Sequence, residues 1–373
     1  MKHSYEPKPL FIERMKSLLG KENYGRYWEK IQEEELRSIR VNTLKISPEE
    51  LKERLEKKSW IIKQPFKENP EIFVIEGKYA EENSKDINEN PGKVDKNLKE
   101  DYGIKNISAK NPAKPTLSHR YASNGERKIM DLEPGELGRA LEHLLGYYYV
   151  QELASMLPVL VLNPKPNETI LDLCASPGSK TTQMAAMMKN SGTIIANEIK
   201  MDRMKILASN LERCGVANVV LTKKDGAVLC RKLKEKNFAV DKILVDAPCS
   251  GEGTIRSSPK TLLMWNINTV NSLSKLQKNL LSSAIETLKI GGEIVYSTCT
   301  HAPEENEEVL DYILKKFGNM IKIEKINLPV KCAPGILEWN GENYNKEVEK
   351  SCRIYPHITN TEGFFISKIR RVR

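Results

Sequence analysis

The sequence predicts an α/β protein whose main sheet is mostly parallel, together with a smaller N-terminal module. From residue 131 onward, short apolar runs of strand length alternate with amphipathic segments of helix length. Such alternation places the strands side by side with helices on both faces of the sheet. The chain has 373 residues, which is enough for this sheet and a second core. The predicted strands include ETILDLC, GTIIANEI, VANVVLTK, KILVDAP, GEIVYSTC, MIKIEKI and GFFISKIRR.

The part of the chain before this sheet divides into a helical segment and a small module. Residues 1–35 carry apolar side chains at helical spacing and are predicted to form helices. Residues 36–130 combine strand candidates with a helix that Ser47 caps, so we expect a small α+β module there. Within it, a polar insertion at about 80–125 lacks apolar periodicity. It is either a surface insertion or a segment that becomes ordered on a partner.

The larger domain is predicted to occupy residues 131–373. Its first element, LGYYYVQELASMLPVLVLN, is expected to be a helix that packs on the large sheet. Polar residues interrupt this apolar run, so it is not expected to cross a membrane.

Composition narrows the class of partner and the compartment. The formal net charge of +9 favours a polyanionic partner such as nucleic acid, although ordinary solvated lysines are the alternative. The 7 cysteines form no Cys-x-x-Cys pair, which argues against a disulfide framework and against a zinc site. We therefore expect a cytoplasmic protein with no bound metal and no membrane partner.

The loop LDLCASPGSKTT indicates what the first crevice of the sheet binds. It follows a buried strand and opens a helix, yet it lacks the glycines of a Walker A loop or a dinucleotide fingerprint. Glu198 ends the next strand, where this fold places the carboxylate that holds ribose hydroxyls. Asp225 and Asp246 follow two further strands. A nucleoside ligand without phosphates points to S-adenosylmethionine, so the predicted fold is a Rossmann-like sheet of an S-adenosylmethionine-dependent methyltransferase.

Two cysteines indicate the reaction. Cys249 and Cys299 each follow a predicted strand, so both thiols are expected in one pocket beside Asp246. A thiolate that adds to carbon 6 of a pyrimidine makes carbon 5 nucleophilic, and an acid on the base edge stabilises the charge that develops. The order of the two cysteines along the chain does not decide which thiol attacks.

Several motifs together resemble the Nop2/Sun (Sun-domain) family of RNA cytosine-5 methyltransferases. The resemblance implies that Cys299 is the nucleophile and that Cys249 assists release of the methylated product. It also implies that Asp246 contacts the cytosine and that Lys180 lies near the target base. Ser179 departs from the glycine that the family often has there. The motifs are LDLCASPGSKTT, DAPCSGEGT and STCTHAPEENE, with RVNTLK, YYYVQELASMLP and RIYPHITNTEGFFISKIRR around them. The implied cofactor contacts are Cys174, Ala175, Ser176, Pro177, Gly178, Ser179, Lys180, Glu198, Arg203, Asp225 and Asp246.

The same resemblance suggests an RNA partner and leaves rivals open. The small module would be an RRM-like RNA-binding unit, and the target cytidine would be extruded into the pocket. The basic segments RSIRVNTLK and IRRVR are either RNA-backbone contacts or ordinary surface residues. We expect a monomer that acts on tRNA, with rRNA as the second choice. The rivals are a DNA cytosine methyltransferase, which attacks through the Pro-Cys thiol, and a non-catalytic RNA-binding or ribosome-assembly factor.

Overall fold

The computed structural model describes residues 5–80 and 129–373. The predicted polar insertion at about 80–125 lies outside the described residues except for Ala80. The α-helices are α1 (Pro9–Leu19), α2 (Lys21–Gln32), α3 (Pro48–Glu56), α4 (Glu136–Arg139), α5 (Leu141–Leu144), α6 (Leu153–Leu162), α7 (Ser179–Met187), α8 (Met201–Cys214), α9 (Gly226–Glu235), α10 (Thr261–Met264), α11 (Ile267–Thr287), α12 (Glu307–Phe317) and α13 (Pro356–Thr359). The strands are β1 (Arg37–Val41), β2 (Trp60–Lys63), β3 (Ile72–Tyr79), β4 (Ile129–Met130), β5 (Tyr148–Val150), β6 (Thr169–Asp172), β7 (Thr193–Asn197), β8 (Val219–Thr222), β9 (Val240–Asp246), β10 (Leu288–Thr298), β11 (Ile321–Glu324), β12 (Ala333–Pro334), β13 (Glu338–Trp339), β14 (Glu342–Asn343), β15 (Cys352–Ile354) and β16 (Phe364–Arg371).

The large sheet has the predicted α/β, Rossmann-like architecture. Its strands follow the order β12-β15-β16-β10-β9-β6-β7-β8, and β11 pairs with β16. Strands β10, β9, β6, β7 and β8 run parallel, whereas β16 runs antiparallel to β10. The parallel strands therefore end at one edge, and that edge carries Asp172, Asp246 and Cys299.

Alternate residues of the central strands face two helical layers. Ile243 and Val245 of β9 belong to the core that includes side chains of α9, α11 and α12. Leu244, between them, packs with side chains of α6 and α7 on the other face. Because both faces are covered, the central part of the strand, residues 243–245, is an apolar run without polar alternation, as expected for a buried parallel sheet.

The N-terminal module is an antiparallel sheet covered by helix α3. Its strand order is β2-β3-β1-β5, and β4 pairs with β3. Leu51 and Leu55 of α3 pack into a core with Ile39 and Phe73 of the strands. The side chain of Ser47 accepts a hydrogen bond from Glu50 N, which confirms the predicted helix cap.

The prediction of one helix over residues 145–163 was wrong in its first half. Helix α6 begins only at Leu153, while Tyr148–Val150 forms a strand that pairs antiparallel with Arg37–Val41. Aromatic and β-branched residues favour a strand once a partner is present. That partner is distant in the chain, so the local pattern could not reveal it. The small sheet therefore takes a strand from the segment that we assigned to the larger domain.

Helices α1 and α2 form as predicted and pack against the loops of the large domain. Phe11 and Tyr27 share a core with Ile255, Trp265 and Ala302, which lie beyond the carboxyl ends of the strands. The N-terminal helices thus support the loops that carry the site. None of the helices in the described ranges is long and apolar enough to cross a membrane.

Candidate active site

The loop between β6 and α7 encloses the first of two adjoining cavities. Gly178 is the N-cap of α7 and has φ at +104°, and a Cβ there would lie 2.9 Å from Leu207 Cδ1, so the position favours glycine. The cavity has a volume of about 250 Å³. This first cavity is lined by Ser155, Asp172, Cys174, Ala175, Ser176, Pro177, Ser179, Lys180 and Asp246.

Arg203 fixes the shape of this loop. Arg203 Nη2 donates to the Ser176 carbonyl oxygen at 2.6 Å, and Ser176 Oγ donates to the Arg203 carbonyl oxygen at 2.9 Å. Arg203 Nη1 also lies 3.6 Å from Glu198 Oε2. Asp225 caps α9 by accepting from Val228 N at 3.0 Å. Glu198, Arg203 and Asp225 do not line the first cavity, so their contacts with a cofactor stay a prediction.

Asp172 is a site residue that the sequence reasoning missed. Its Oδ2 accepts from Thr181 Oγ1 at 2.6 Å, whereas Oδ1 is buried without a partner among the described residues. Burial, with a further contribution from Asp246, raises the pKa of Asp172 to about 7. An unpartnered acceptor in the cavity wall fits the ammonium group of S-adenosylmethionine. The sequence feature that could have identified Asp172 is its position as an acidic residue at the end of an apolar strand.

Lys180 and Asp246 form an ion pair where the two cavities meet. Lys180 Nζ lies 2.8 Å from Asp246 Oδ2 and donates to Ser155 Oγ at 2.8 Å. Asp246 Oδ1 accepts from Ser297 Oγ at 2.7 Å. Both side chains line the first cavity and the second. The structure therefore brings together two of the residues predicted to act on the base.

The two predicted cysteines are in direct contact. Cys249 Sγ lies 3.1 Å from Cys299 Sγ. This contact and burial raise the pKa of the Cys249 thiol well above its usual value, so Cys249 holds its proton. Cys299 lines the second cavity beside Lys180 and Asp246.

Backbone contacts between three loops hold the cysteines at this position. Gly253 N donates to the Cys299 carbonyl oxygen at 2.9 Å, and Gly363 N donates to the Gly253 carbonyl oxygen at 2.9 Å. A Cβ on Gly253 would lie 2.2 Å from the Gly363 carbonyl oxygen. Side chains do not fit between these loops, which explains Gly253 of the SGEGT segment and Gly363 of the TEGFF segment.

Glu305 is a second acid that the sequence reasoning did not single out. Its Oε2 accepts from Ser250 N at 3.0 Å and from Gln277 Nε2 at 2.8 Å. Burial raises the pKa of Glu305 to about 7. The carboxyl thereby holds the residue that follows Cys249.

The second cavity has a volume of about 370 Å³ and carries unexpected acids. Glu35, Glu152 and Glu362 line it together with Cys299 and the ring of Phe364. Lys180 Nζ lies 5.3 Å from the centre of that ring, within the range of a cation–π contact. The three glutamates come from segments far apart in the chain, so spacing gave no sign of the cluster.

Two of the arginines considered as RNA contacts have partners within the protein. Arg40 is 2% exposed and donates to the Ser179 carbonyl oxygen and to Thr182 Oγ1, both at 2.7 Å. It joins the small module to α7 and is buried from solvent, so that expectation was wrong for Arg40. Arg370 pairs with Glu324 at 2.6 Å.

Comparison with known proteins places these features in a family. The family model described as 16S rRNA methyltransferase RsmB/F matches residues 159–370. The tRNA (cytosine(49)-C(5))-methyltransferase of Pyrococcus abyssi is 49% identical over 236 residues, which are 63% of this chain and 74% of that protein. Ribosomal RNA small subunit methyltransferase F of Vibrio cholerae is 41% identical over 239 residues, again 63% of this chain. The match spans only 48% of that longer protein.

Two solved structures are similar to this protein over nearly the whole chain. A methyltransferase homologue from Pyrococcus horikoshii has a TM-score of 0.72 and 31% identity, covering 99% of this chain and 96% of its own. NSun6 from Pyrococcus horikoshii, solved with SFG, has a TM-score of 0.73 and 29% identity, with 98% of each chain covered. The family match and the motifs around Cys249 and Cys299 agree: the chain belongs to the RsmB/F family, the Nop2/Sun group of S-adenosylmethionine-dependent RNA methyltransferases.

Proposed function

We propose that the protein is an S-adenosylmethionine-dependent RNA (cytosine-5)-methyltransferase that acts on tRNA through a covalent bond from Cys299. The observation that carries this function is that the two cavities adjoin and share lining residues. Lys180 and Asp246 line both, and Cys299 lies on the far side of that border from the motif loop. One cavity suits the cofactor and the other suits an extruded base.

The residues of the first cavity would hold S-adenosylmethionine. The unpartnered Asp172 Oδ1 accepts from its ammonium group, and the loop that ends at Gly178 surrounds the rest. When bound, the cofactor supplies an electrophilic methyl group. We assign Glu198 and Asp225 to the ribose and adenine, as the order of the strands predicts.

The residues of the second cavity would activate the base. The thiolate of Cys299, whose proton has passed to solvent, adds to carbon 6 of the cytosine, and the electrons of the ring double bond shift to make carbon 5 the nucleophile. Asp246, held by Lys180 and Ser297, accepts from the exocyclic amine of the base. Phe364 offers an aromatic face in the same cavity.

Cys249 would assist the last step. After methylation, a solvent water takes the proton from carbon 5, the electrons of that C–H bond restore the ring double bond, and the bond between carbon 6 and Cys299 Sγ breaks with its electrons on the sulfur. Cys249 keeps its proton and lies 3.1 Å from that sulfur, so its thiol can donate to the departing thiolate.

We favour tRNA over rRNA as the substrate because of the extent of the matches. The tRNA-modifying relative is matched over 74% of its length, whereas the chain spans about half the length of the rRNA-modifying relative. We retain the monomeric state and the cytoplasmic location as parts of this proposal.

Methyl transfer from labelled S-adenosylmethionine tests the function. Purified protein is incubated separately with bulk tRNA and bulk rRNA, and the digested nucleosides are separated by chromatography with mass detection. We expect 5-methylcytidine in the tRNA fraction, loss of product with Cys299→Ala, and retention with Cys332→Ala as a matched control. Label in rRNA alone would reverse the choice of substrate. Binding of RNA with no product from either fraction would favour the non-catalytic RNA-binding rival.

A further inference from the structure

The three glutamates of the second cavity differ in how their carboxyl groups are satisfied. Glu152 accepts with both oxygens, from Ser155 N and from Glu362 N, each at 3.0 Å. Glu35 lies at the exposed rim. Glu362 is 3% exposed, yet among residues 5–80 and 129–373 only one of its two oxygens has a hydrogen-bond partner. Glu362 is therefore the acid whose bonding a ligand could complete.

The hydrogen-bond partner of Glu362 determines which of its two carboxyl oxygens can carry a proton. Glu362 Oε1 accepts from Ser257 N at 2.8 Å, whereas Oε2 is buried without a partner in the described part of the chain. A buried polar atom left unpaired destabilises the fold, and a ligand that supplies the partner removes that cost. Because an N–H already faces Oε1, a proton on this carboxyl belongs on Oε2. The side chain would then present an O–H donor to the cavity.

The surroundings of Glu362 keep that proton in place at neutral pH. Burial, followed by the nearby charges of Glu152 and Glu35, raises the pKa of Glu362 to about 8. Burial lowers the pKa of Arg256, and the nearby charge of Glu362 acts against that shift. The titratable and charged groups that face Glu362 or share its cavity are Tyr27, Glu35, Glu152, Lys180, Asp246, Arg256 and Cys299.

We infer that Glu362 Oε2 donates a hydrogen bond to N3 of the extruded cytosine and so distinguishes cytosine from uracil. The inference rests on the proposed function and adds a specificity residue to the base pocket. Asp246 is paired with Lys180 and is an acceptor, which suits the exocyclic amine of cytosine. The neighbouring N3 is an acceptor and needs a donor. In uracil an N–H and a carbonyl replace these groups, so both contacts would be mismatched.

Two substitutions and three RNAs test this contact. Glu362→Gln replaces the O–H donor by an N–H donor, whereas Glu362→Leu removes the donor. The RNAs are synthetic oligonucleotides around the mapped target, carrying cytidine, uridine or 3-deazacytidine there. We expect kcat/KM of E362Q within about threefold of wild type and at least a roughly tenfold loss with E362L, the scale of one buried hydrogen bond. The partly exposed Glu286, which lies outside both cavities and pairs with Lys234, supplies the matched control: Glu286→Leu should behave as wild type.

Binding of the three RNAs without cofactor separates recognition from a purely structural effect. Wild-type protein should bind the 3-deazacytidine and uridine RNAs at least about tenfold more weakly than the cytidine RNA, since both lack the N3 acceptor. E362L should bind the cytidine and 3-deazacytidine RNAs alike, whereas the uridine RNA should stay weaker because its carbonyl still faces the acceptor Asp246. Unchanged binding and turnover in E362L, or an undiminished 3-deazacytidine penalty in E362L, would overturn the inference.

The pH profile of E362Q gives an independent readout if E362L does not fold. The wild-type donor is lost as pH rises through about 8, where Glu362 ionises, whereas an amide keeps its N–H. E362Q should therefore still bind the 3-deazacytidine RNA more weakly than the cytidine RNA at pH 9, where wild type loses that difference. Superimposable profiles, or an inactive but folded E362Q, would contradict the assignment. Failure of the wild-type protein to methylate any RNA would instead overturn the proposed function.

Discussion

Lys180 Nζ lies 2.8 Å from Asp246 Oδ2 at the border that the two cavities share. The pair thus places a fixed cation and a fixed acceptor between the proposed cofactor and the proposed base. Arg40 stabilises the helix that carries Lys180, and Ser297 orients Asp246 from the neighbouring strand. Such groups are oriented before the substrate arrives, which is how fixed charges lower a reaction barrier.

Removal of the Lys180 charge should impair methyl transfer more than folding. We expect Lys180→Met to lower kcat by roughly 100- to 1000-fold, the usual scale for loss of one oriented electrostatic group. Lys57→Met, which removes an exposed ion pair on the small module, is the control. Single-turnover methylation measures the effect, and a Lys180→Met enzyme with near-normal turnover would contradict the role.

The close approach of two loops should make Gly253 intolerant of a side chain. Its Cβ would lie 2.2 Å from the Gly363 carbonyl oxygen, so Gly253→Ala must displace a loop that holds Cys299. We expect loss of most activity and a lower melting temperature. Gly25→Ala, where a Cβ has open space within helix α2, should leave both unchanged or raise stability slightly. Equal behaviour of the two variants would show that the loops can separate freely.

The buried pair of Arg353 and Glu307 should dominate stability near the site. Arg353 is 2% exposed and also donates to the His301 carbonyl oxygen at 3.0 Å. Arg353→Met leaves a buried carboxylate without its partner, which costs about 3–5 kcal/mol in the free energy of unfolding. The exposed pair of Arg54 and Glu50 should contribute less than about 1 kcal/mol. Denaturant unfolding of both arginine variants measures the difference, and similar losses would refute it.

The raised pKa of Glu305 should make stability fall as pH rises. Folded Glu305 holds its proton to about pH 7, whereas in the unfolded chain it ionises near 4.5. Between these values the folded state binds more protons, so its contribution to stability is lost as pH increases. Glu305→Gln should therefore gain stability relative to wild type from pH 4.5 to 7, on the order of 3 kcal/mol at most. Parallel stability curves would show that Glu305 is ionised when buried.

The features that the sequence predicted well are those coded within single segments. Cys249 and Cys299 each follow their strands directly, and parallel strands end at one edge, so their contact was foreseeable. The same holds for the loop that ends at Gly178, because a glycine before a helix is a local signal. Lys180 was placed near the base by family resemblance, and the structure puts it against Asp246.

The features that the sequence did not predict depend on distant segments. The strand Tyr148–Val150 exists because Arg37–Val41 is there to pair with it. Glu362 reaches the second cavity through the antiparallel strand β16, and its neighbour Glu152 through helix α6. In the sequence, Asp172 is simply the last residue of a predicted strand. Only the structure shows that its Oδ1 is buried without a hydrogen-bond partner among the described residues. In each case the informative partner is far away in the chain.

The most direct test of the central claim is a search for a covalent protein–RNA adduct with Cys249→Ala. If Cys299 attacks the cytosine and Cys249 assists its release, this variant should accumulate an adduct with tRNA that survives a denaturing gel. The adduct should map to Cys299 and disappear in the Cys249→Ala, Cys299→Ala double variant. An adduct that persists without Cys299, or a folded Cys249→Ala variant that turns over normally without any adduct, would contradict the account.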